Sequence, residues 1–220
     1  MFLEKEEMRV FDKIYIQKGE KRNMEKHTWL VSYCGSLWDN AVTERVIGTK
    51  EEIRKYLLDL VTEEREEKEK DDGDETWDYG AETLDDVYEI NNDGDDRIYA
   101  GACFDDGHSD YVARIETDEV IVVTREGEDV KDWFITIGGS DMDNVYVEKI
   151  RASREDAREY IFGLCKEAMD NQEENDWEFG TDTLEGVQDM DDGGFYGFAC
   201  CHFSHDDYTA RIDDGSTKEL

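Results

Sequence analysis

The chain has 220 residues, of which 60 are acidic and 25 are lysine or arginine, for a formal charge of −35. Apolar residues still make up 38% and aromatic residues 11%, which excludes a disordered polyanion. No basic patch with interleaved aromatics occurs, so direct nucleic-acid binding is excluded, and no apolar run reaches the ~20 residues of a membrane span.

Residues 1–13, MFLEKEEMRVFDK, are charged from the fourth position and read as a lead-in, not as a secretory signal. The run IYIQ (14–17) predicts a strand. TWLVSYCGSLWDN (28–40) predicts a second strand from Trp29 that ends in a turn, and AVTERVI (41–47) predicts a β-branched third. Thr49 followed by Glu52 marks a capped helix start. Ile53, Tyr56, Leu57, Leu60 and Val61 recur at helical spacing and form its apolar face. The helix continues into EEREEKEK (63–70), where Glu64–Lys68 and Glu66–Lys70 support an exposed last turn. An acidic loop and a short element, ETLDDVYEI (82–90), lead to two further strands, RIYAGACF (97–104) and DYVARIE (110–116).

The same order then returns. VIVV (120–123) stands where IYIQ stood. DWFITIGGSDMDN (132–144) and SREDAREYIFGLC (153–165) match 28–40 and 49–61 at an offset of 104. Trp29 pairs with Trp133, and the second helix face is Ala157, Tyr160, Ile161, Leu164 and Cys165. Its cap is Ser153 with Asp156, a weaker acid partner than Glu. DWEFGTDTLEGV (176–187) matches TWDYGAETLDDV (76–87), and ACCHFSHDDYTARI (199–212) matches ACFDDGHSDYVARI (102–115), at offsets of 100 and 97. This predicts an α+β fold built by tandem duplication: a lead-in (1–13) and two units (14–118 and 119–220), each an antiparallel sheet with one main helix packed on it. Cys103/Cys200, Tyr99/Tyr196 and Tyr111/Tyr208 are expected as sheet and core positions. The five cysteines lack C-x-x-C spacing and read as reduced, mostly buried thiols of a cytoplasmic protein.

The charge is concentrated in equivalent windows. Residues 71–118 hold 17 acids and 2 bases, and residues 167–214 hold 15 acids and 1 base, so together they carry −29 of the −35. A solvated face or a salt-adapted surface is the simple explanation, but it must account for the repetition and for the scarcity of local lysine or arginine. Duplex DNA carries about one charge per 1.7 Å, so 29 carboxylates match roughly 50 Å of duplex, about fifteen base pairs. Aligned along one ridge, they would fill the basic channel of a nucleic-acid-binding protein. The candidate contact residues are Asp71, Asp72, Asp74, Glu75, Asp78, Glu82, Asp85, Asp86, Asp93, Asp95 and Asp96. In the second unit they are Glu173, Glu174, Asp176, Glu178, Asp182, Glu185, Asp189, Asp191 and Asp192. Trp77 and Trp177 are either aromatic anchors or residues that seat the acidic loop on the core.

These clusters, DDGDETWDYGAETLDD (71–86), NNDGDD (91–96), QEENDWEFGTDTLEG (172–186) and DMDDGG (189–194), resemble the acidic nucleic-acid mimics of phages and mobile elements, among them anti-CRISPR and anti-restriction inhibitors. The resemblance implies an inhibitor, not an enzyme, without cofactor or membrane contact. Its partner would be a CRISPR effector nuclease or a restriction–modification enzyme in the host bacterial cytoplasm. An acidic immunity or adaptor protein that neutralises a basic toxin is the alternative, and a divalent-cation-dependent binding module is a third.

Motif tests favour none of the catalytic readings. EF-hand spacing placed on Gly94 puts Ala100 where a bidentate Glu belongs, and placed on Gly194 it puts Cys200 there. Weak carboxylate binding of Ca²⁺ or Mg²⁺ stays open. His202 and His205, three apart on a strand, face opposite ways, which argues against zinc. No nucleophile elbow, P-loop or dinucleotide fingerprint occurs. His108 and His205 beside Asp110 and Asp207 are the best acid–base candidates, and a hydrogen-bonded pair on a strand edge explains them equally well.

Overall fold

The computed structural model describes residues 25–35, 41–71, 77–92, 95–104, 107–124, 127, 129–139, 145–171, 177–201 and 204–220. Among the described residues it is mixed α+β, mostly sheet, with two sheets and two long helices. In the first half these are β1 (His27–Gly35), β2 (Val42–Gly48), α1 (Lys50–Asp71), β3 (Trp77–Gly80), β4 (Tyr88–Asn92), β5 (Asp95–Phe104) and β6 (Gly107–Ile115). After β7 (Ile121–Val122) the order repeats as β8 (Lys131–Gly139), β9 (Tyr146–Ala152), α2 (Arg154–Asn171), β10 (Trp177–Gly180), β11 (Gln188–Asp189), β12 (Phe195–Cys201) and β13 (Ser204–Ile212), and β14 (Lys218–Glu219) closes the chain. The predicted strand IYIQ (14–17) lies outside the described residues.

Each helix forms where its cap and apolar face place it. Thr49 donates its N–H to Glu52 (2.8 Å) and its hydroxyl accepts from the Glu52 N–H (3.3 Å), a reciprocal cap. In the second half Asp156 is one carbon shorter. Its carboxylate takes the Ser153 and Thr124 hydroxyls instead, and the Ser153 N–H turns to Thr124 Oγ1 (3.0 Å). Ile53, Leu57 and Val61 are fully buried against the first sheet, with Trp29, Val46, Ile98 and Ala113. Ala157, Ile161 and Cys165 do the same in the second, with Trp133, Ile150 and Phe195. Both tryptophans tie the strand after the neighbouring turn: Trp29 donates to the Gly48 carbonyl (3.0 Å) and Trp133 to the Ala152 carbonyl (3.1 Å). Burial pushes the Cys165 thiol up to about 12, as expected of a packing residue.

The first sheet runs β14-β2-β1-β6-β5-β3, with β4 also on β5, and the second runs β10-β12-β13-β8-β9-β7, with β11 also on β12. One correction follows: VIVV (120–123) is not a full strand leading the antiparallel sheet. Only Ile121–Val122 is strand, and it pairs in parallel with β9. Its counterpart β14, 97 residues later, pairs in parallel with β2 of the first sheet, so the chain's last strand belongs to the opposite half. The two short strands thus pair at equivalent positions of the two sheets, β14 at Val46/Ile47 and β7 at Ile150/Arg151.

The faces turned away from the helices pack on each other, giving helix, sheet, sheet, helix. Leu30 meets Phe134 and Val147, and Cys34, Ala41, Ile90, Tyr99 and Val112 meet Val145. The rest of this layer is polar. Thr43 bonds Ser32 (2.9 Å) and Thr136 (2.6 Å), and Thr209 donates to the Ala41 carbonyl (2.9 Å). Arg45 chelates Glu116 and Asp213, and Lys149 reaches Glu116 (2.7 Å). These reciprocal contacts define an approximate two-fold axis between the sheets and along the strands. At one pole it passes through the Arg45–Glu116–Asp213–Lys149 cluster. At the other it passes between His108 and His205, whose ring centroids lie 6.2 Å apart.

Candidate functional site

The axis decides where the acidic segments go. Ile90 and Tyr99 of the first sheet lie over Val145, while Ala41 lies over Thr209 of β13. The β3–β4 edge of the first sheet therefore stacks over the β9–β7 edge of the second. The β10–β11 edge lies on the opposite flank. Glu82, Asp85 and Asp86 stand exposed on one flank, and Asp182, Glu185, Asp189, Asp191 and Asp192 on the other. One continuous ridge of carboxylates, as the sequence suggests, does not form among the described residues, because a two-fold axis along the strands turns the two edges away from each other.

Scarcity of local cations is also corrected. Bases distant in sequence come to these acids: Arg65 to Glu82 (3.6 Å), Arg154 to Asp189 (2.8 Å), Arg158 to Asp189 (3.8 Å) and Arg211 to Asp192. Arg54 and Arg158 also cap carbonyls of the flank segments, at Leu84 and Val87 and at Val187. Asp86 serves its own loop. Hydrogen bonds from the Thr83 hydroxyl and backbone hold its carboxyl below the usual range. Asp96 lines a groove between β5 and β9. Asp72, Asp74, Glu75, Asp93, Glu173, Glu174 and Asp176 lie outside the described residues, as do the side chains of Asp71, Trp77, Asp78, Asp95, Trp177 and Glu178.

A different grouping does emerge. The strand and helix ends at Gly35/Val42, Asp71/Trp77 and Phe104/Gly107 all lie at the His108 pole, because Trp77 pairs with Phe104 and Gly35 with Ser109. Their equivalents at Gly139/Tyr146, Asn171/Trp177 and Cys201/Ser204 lie at the His205 pole, which is the same one. The six intervening segments, 36–40, 72–76, 105–106, 140–144, 172–176 and 202–203, contain 11 acids and no lysine or arginine.

The histidine–aspartate pairs sit at the base of this pole, on central strands of both sheets and not on a strand edge. His108 Nε2 is 3.3 Å from Asp110 Oδ2, and His205 Nε2 is 3.4 Å from Asp207 Oδ2. The other oxygens accept from Tyr99 (2.6 Å) and Tyr196 (2.7 Å). Burial, then the facing His205, lowers the His108 pKa against a raising hydrogen bond to the Gly139 carbonyl. Burial raises that of Asp207 above its ordinary 3.8, only partly offset by Tyr196 and His205. A carboxyl raised on folding costs stability once pH exceeds its folded value, and that cost disappears below its unfolded value. Asp207→Asn, which keeps an acceptor for Tyr196, will therefore unfold at higher urea than wild type at pH 8 and without advantage at pH 3. Urea titrations at the two pH values check this; a less stable variant at pH 8 contradicts it.

Tyr99, Tyr111, Tyr196 and Tyr208 are buried as expected, whereas Cys103 and Cys200 are half-buried. Among the described residues, no three His, Cys, Asp or Glu side chains are arranged to hold a metal, and no helix is long and apolar enough to cross a membrane. The His202 side of the zinc reading lies outside the described residues. Compared with known proteins, the chain matches no family model, no curated protein and no solved structure.

Proposed function

We propose that the chain is an acidic inhibitor that presents nucleic-acid-like charge to the positively charged DNA or RNA channel of a host-defence nuclease. An RNA-guided CRISPR effector is the first target and a restriction–modification enzyme the second, both in the bacterial cytoplasm. The scaffold is a tandem duplication of one sheet-and-helix unit. The observation that supports the reading is that the strand and helix ends of both halves meet at one pole, and that five of the six sequences joining them are acid-bearing, with 11 acids and no lysine or arginine in all six. At one charge per ~1.7 Å, that number matches roughly 19 Å of duplex, between five and six base pairs. A channel of arginine and lysine would exchange its counterions for these carboxylates as it does for phosphates. Duplication places the equivalent strand and helix ends of the two halves about one axis, much as the two strands of a duplex are related by local dyads.

Inhibition of DNA cleavage by purified effector and restriction enzymes tests the reading. Wild type is expected to inhibit at least one of them. Replacing Asp72, Asp74, Glu75, Glu173, Glu174 and Asp176 by lysine should abolish that inhibition. Reversal of the flank acids Glu82, Asp85, Asp182 and Glu185 should leave most of it. Equal loss from both sets, or inhibition that survives reversal at the pole, overturns the assignment.

A further inference from the structure

The two halves have diverged at one equivalent pair of edges. On the first sheet β14 presents Lys218 and Glu219, and Leu220 packs into the core. Their counterparts 97 positions earlier are Ile121, Val122 and Val123. These are 41, 52 and 41% exposed. Exposed edge strands are ordinarily blunted by charge, because their free N–H and carbonyl groups template pairing with another chain. β14 carries that protection and β7 does not. Val123 donates its N–H to the Arg151 carbonyl. Alternate residues of a parallel strand face the same neighbour, so Val122 directs its own N–H and carbonyl away from β9. Among the described residues, no strand pairs with that side.

Next to this edge lies a groove of about 630 Å³ between β5–β6 and β9, floored by Leu30 and Ile115. Among the described residues its free carboxylates are Asp96 and Glu119, while Glu148, which also borders it, accepts from Tyr160 on the helix side of the sheet (2.9 Å). Its two bases are turned to internal partners, Arg114 to the Val147 carbonyl (3.2 Å) and Lys149 to Glu116 (2.7 Å). The groove therefore offers an apolar floor and two carboxylates, Asp96 and Glu119, beside a strand edge that no described strand covers.

We propose that β7 and this groove dock an extended segment of a partner protein, one that alternates apolar and basic side chains and adds as a strand beside Val122. Main-chain bonds to Val122 supply pairing, and alternate side chains divide between the apolar edge and the groove acids, the usual logic of strand addition. A formal charge of −35 repels a second copy of this chain and attracts a basic segment, so charge selects the occupant. The proposal goes beyond the nuclease reading and concerns a different surface, so either can fail alone.

Fluorescence anisotropy of the full chain with a labelled peptide alternating valine and lysine tests it, beside a valine–glutamate peptide of equal length. The lysine peptide is expected to bind and to weaken with salt, and the glutamate peptide is not expected to bind. Val122→Pro removes the outward N–H while leaving the Val123 bond, and should lower affinity about tenfold. Val122→Lys keeps the backbone and opposes the peptide's charge, and should weaken binding too, with an unchanged melting temperature. Equal binding of both peptides, no binding by the full chain, or binding untouched by both substitutions overturns the proposal. So does a wild-type dimer that Val122→Lys dissociates, which would make a second copy the occupant.

Discussion

Arg45→Met will cost about 3–5 kcal/mol, the penalty for stripping one partner from a buried ion cluster. In a chain of this size that lowers the melting temperature by roughly 10 °C. Arg45 comes from the first half and is 12% exposed, with Glu116 at 14% and Asp213 at 10%. It lies over the Phe134 ring (5.3 Å) and ties Glu116 of its own half to Asp213 of the other. Without it, Asp213 keeps no bidentate partner and Glu116 keeps only Lys149. Hydrogen bonds from Arg45 hold the Glu116 carboxyl below the usual range. Burial pushes Asp213 up, but its bonds to Arg45 and Gly215 more than offset that and leave it lowered. Carboxyls lowered by folding give stability that is present above their unfolded pKa values and is lost as pH falls through the folded ones. The gap between wild type and variant is therefore widest at neutral pH and closes in acid. Replacing all three groups at once, Arg45→Met with Glu116→Gln and Asp213→Asn, should recover much of the loss. Thermal melts of the three proteins from pH 7 to pH 3 check both statements; a single variant as stable as wild type would remove this cluster from the interface.

Gly138→Cys will cost about 2–3 kcal/mol, although cysteine is the better strand former. A Cβ at Gly138 would lie 2.0 Å from Cys34 Sγ and 2.7 Å from its Cβ, closer than any packing allows. The two carbons are also too close for the roughly 3.5–4.5 Å of a disulfide, so oxidation offers no escape. Cys34 and Gly138 are equivalent positions, 104 residues apart, and face each other across the axis, where there is room for one side chain. The exchanged pair Cys34→Gly with Gly138→Cys should therefore regain most of the stability, because it moves the same atom across the axis. Urea unfolding of the single and double variants measures this. A double variant no better than the single one would mean that the halves are not related as described.

The helices were legible because their signals are local. A cap three residues from its acid and an apolar face at i, i+3, i+4 need no knowledge of the rest of the chain. The repeated tryptophans were legible for the same reason, each bonding a carbonyl 19 residues away in its own half. What joins the halves was not. The facing sheets meet through Ser32, Thr43, Thr136 and Thr209, which in sequence look like the solvent side of ordinary alternating strands. β7 and β14 have two residues each, too short for any periodicity, and both pair in parallel, β14 with a strand of the other half. The flank acids looked unpaired because Arg65, Arg154 and Arg158 reach them from helices about 17–35 residues away. Equivalent windows predicted that acids would be grouped; only the direction of the axis decides which of them share a face.

The most direct measurement is binding of the full chain to an inhibited nuclease in the presence of duplex DNA, repeated across a range of salt. The account predicts mutual exclusion, with affinity falling linearly on a log–log plot as salt rises, because carboxylates and phosphates compete for the same arginines and lysines. A ternary complex of chain, nuclease and DNA, or an affinity that does not respond to salt, would contradict it.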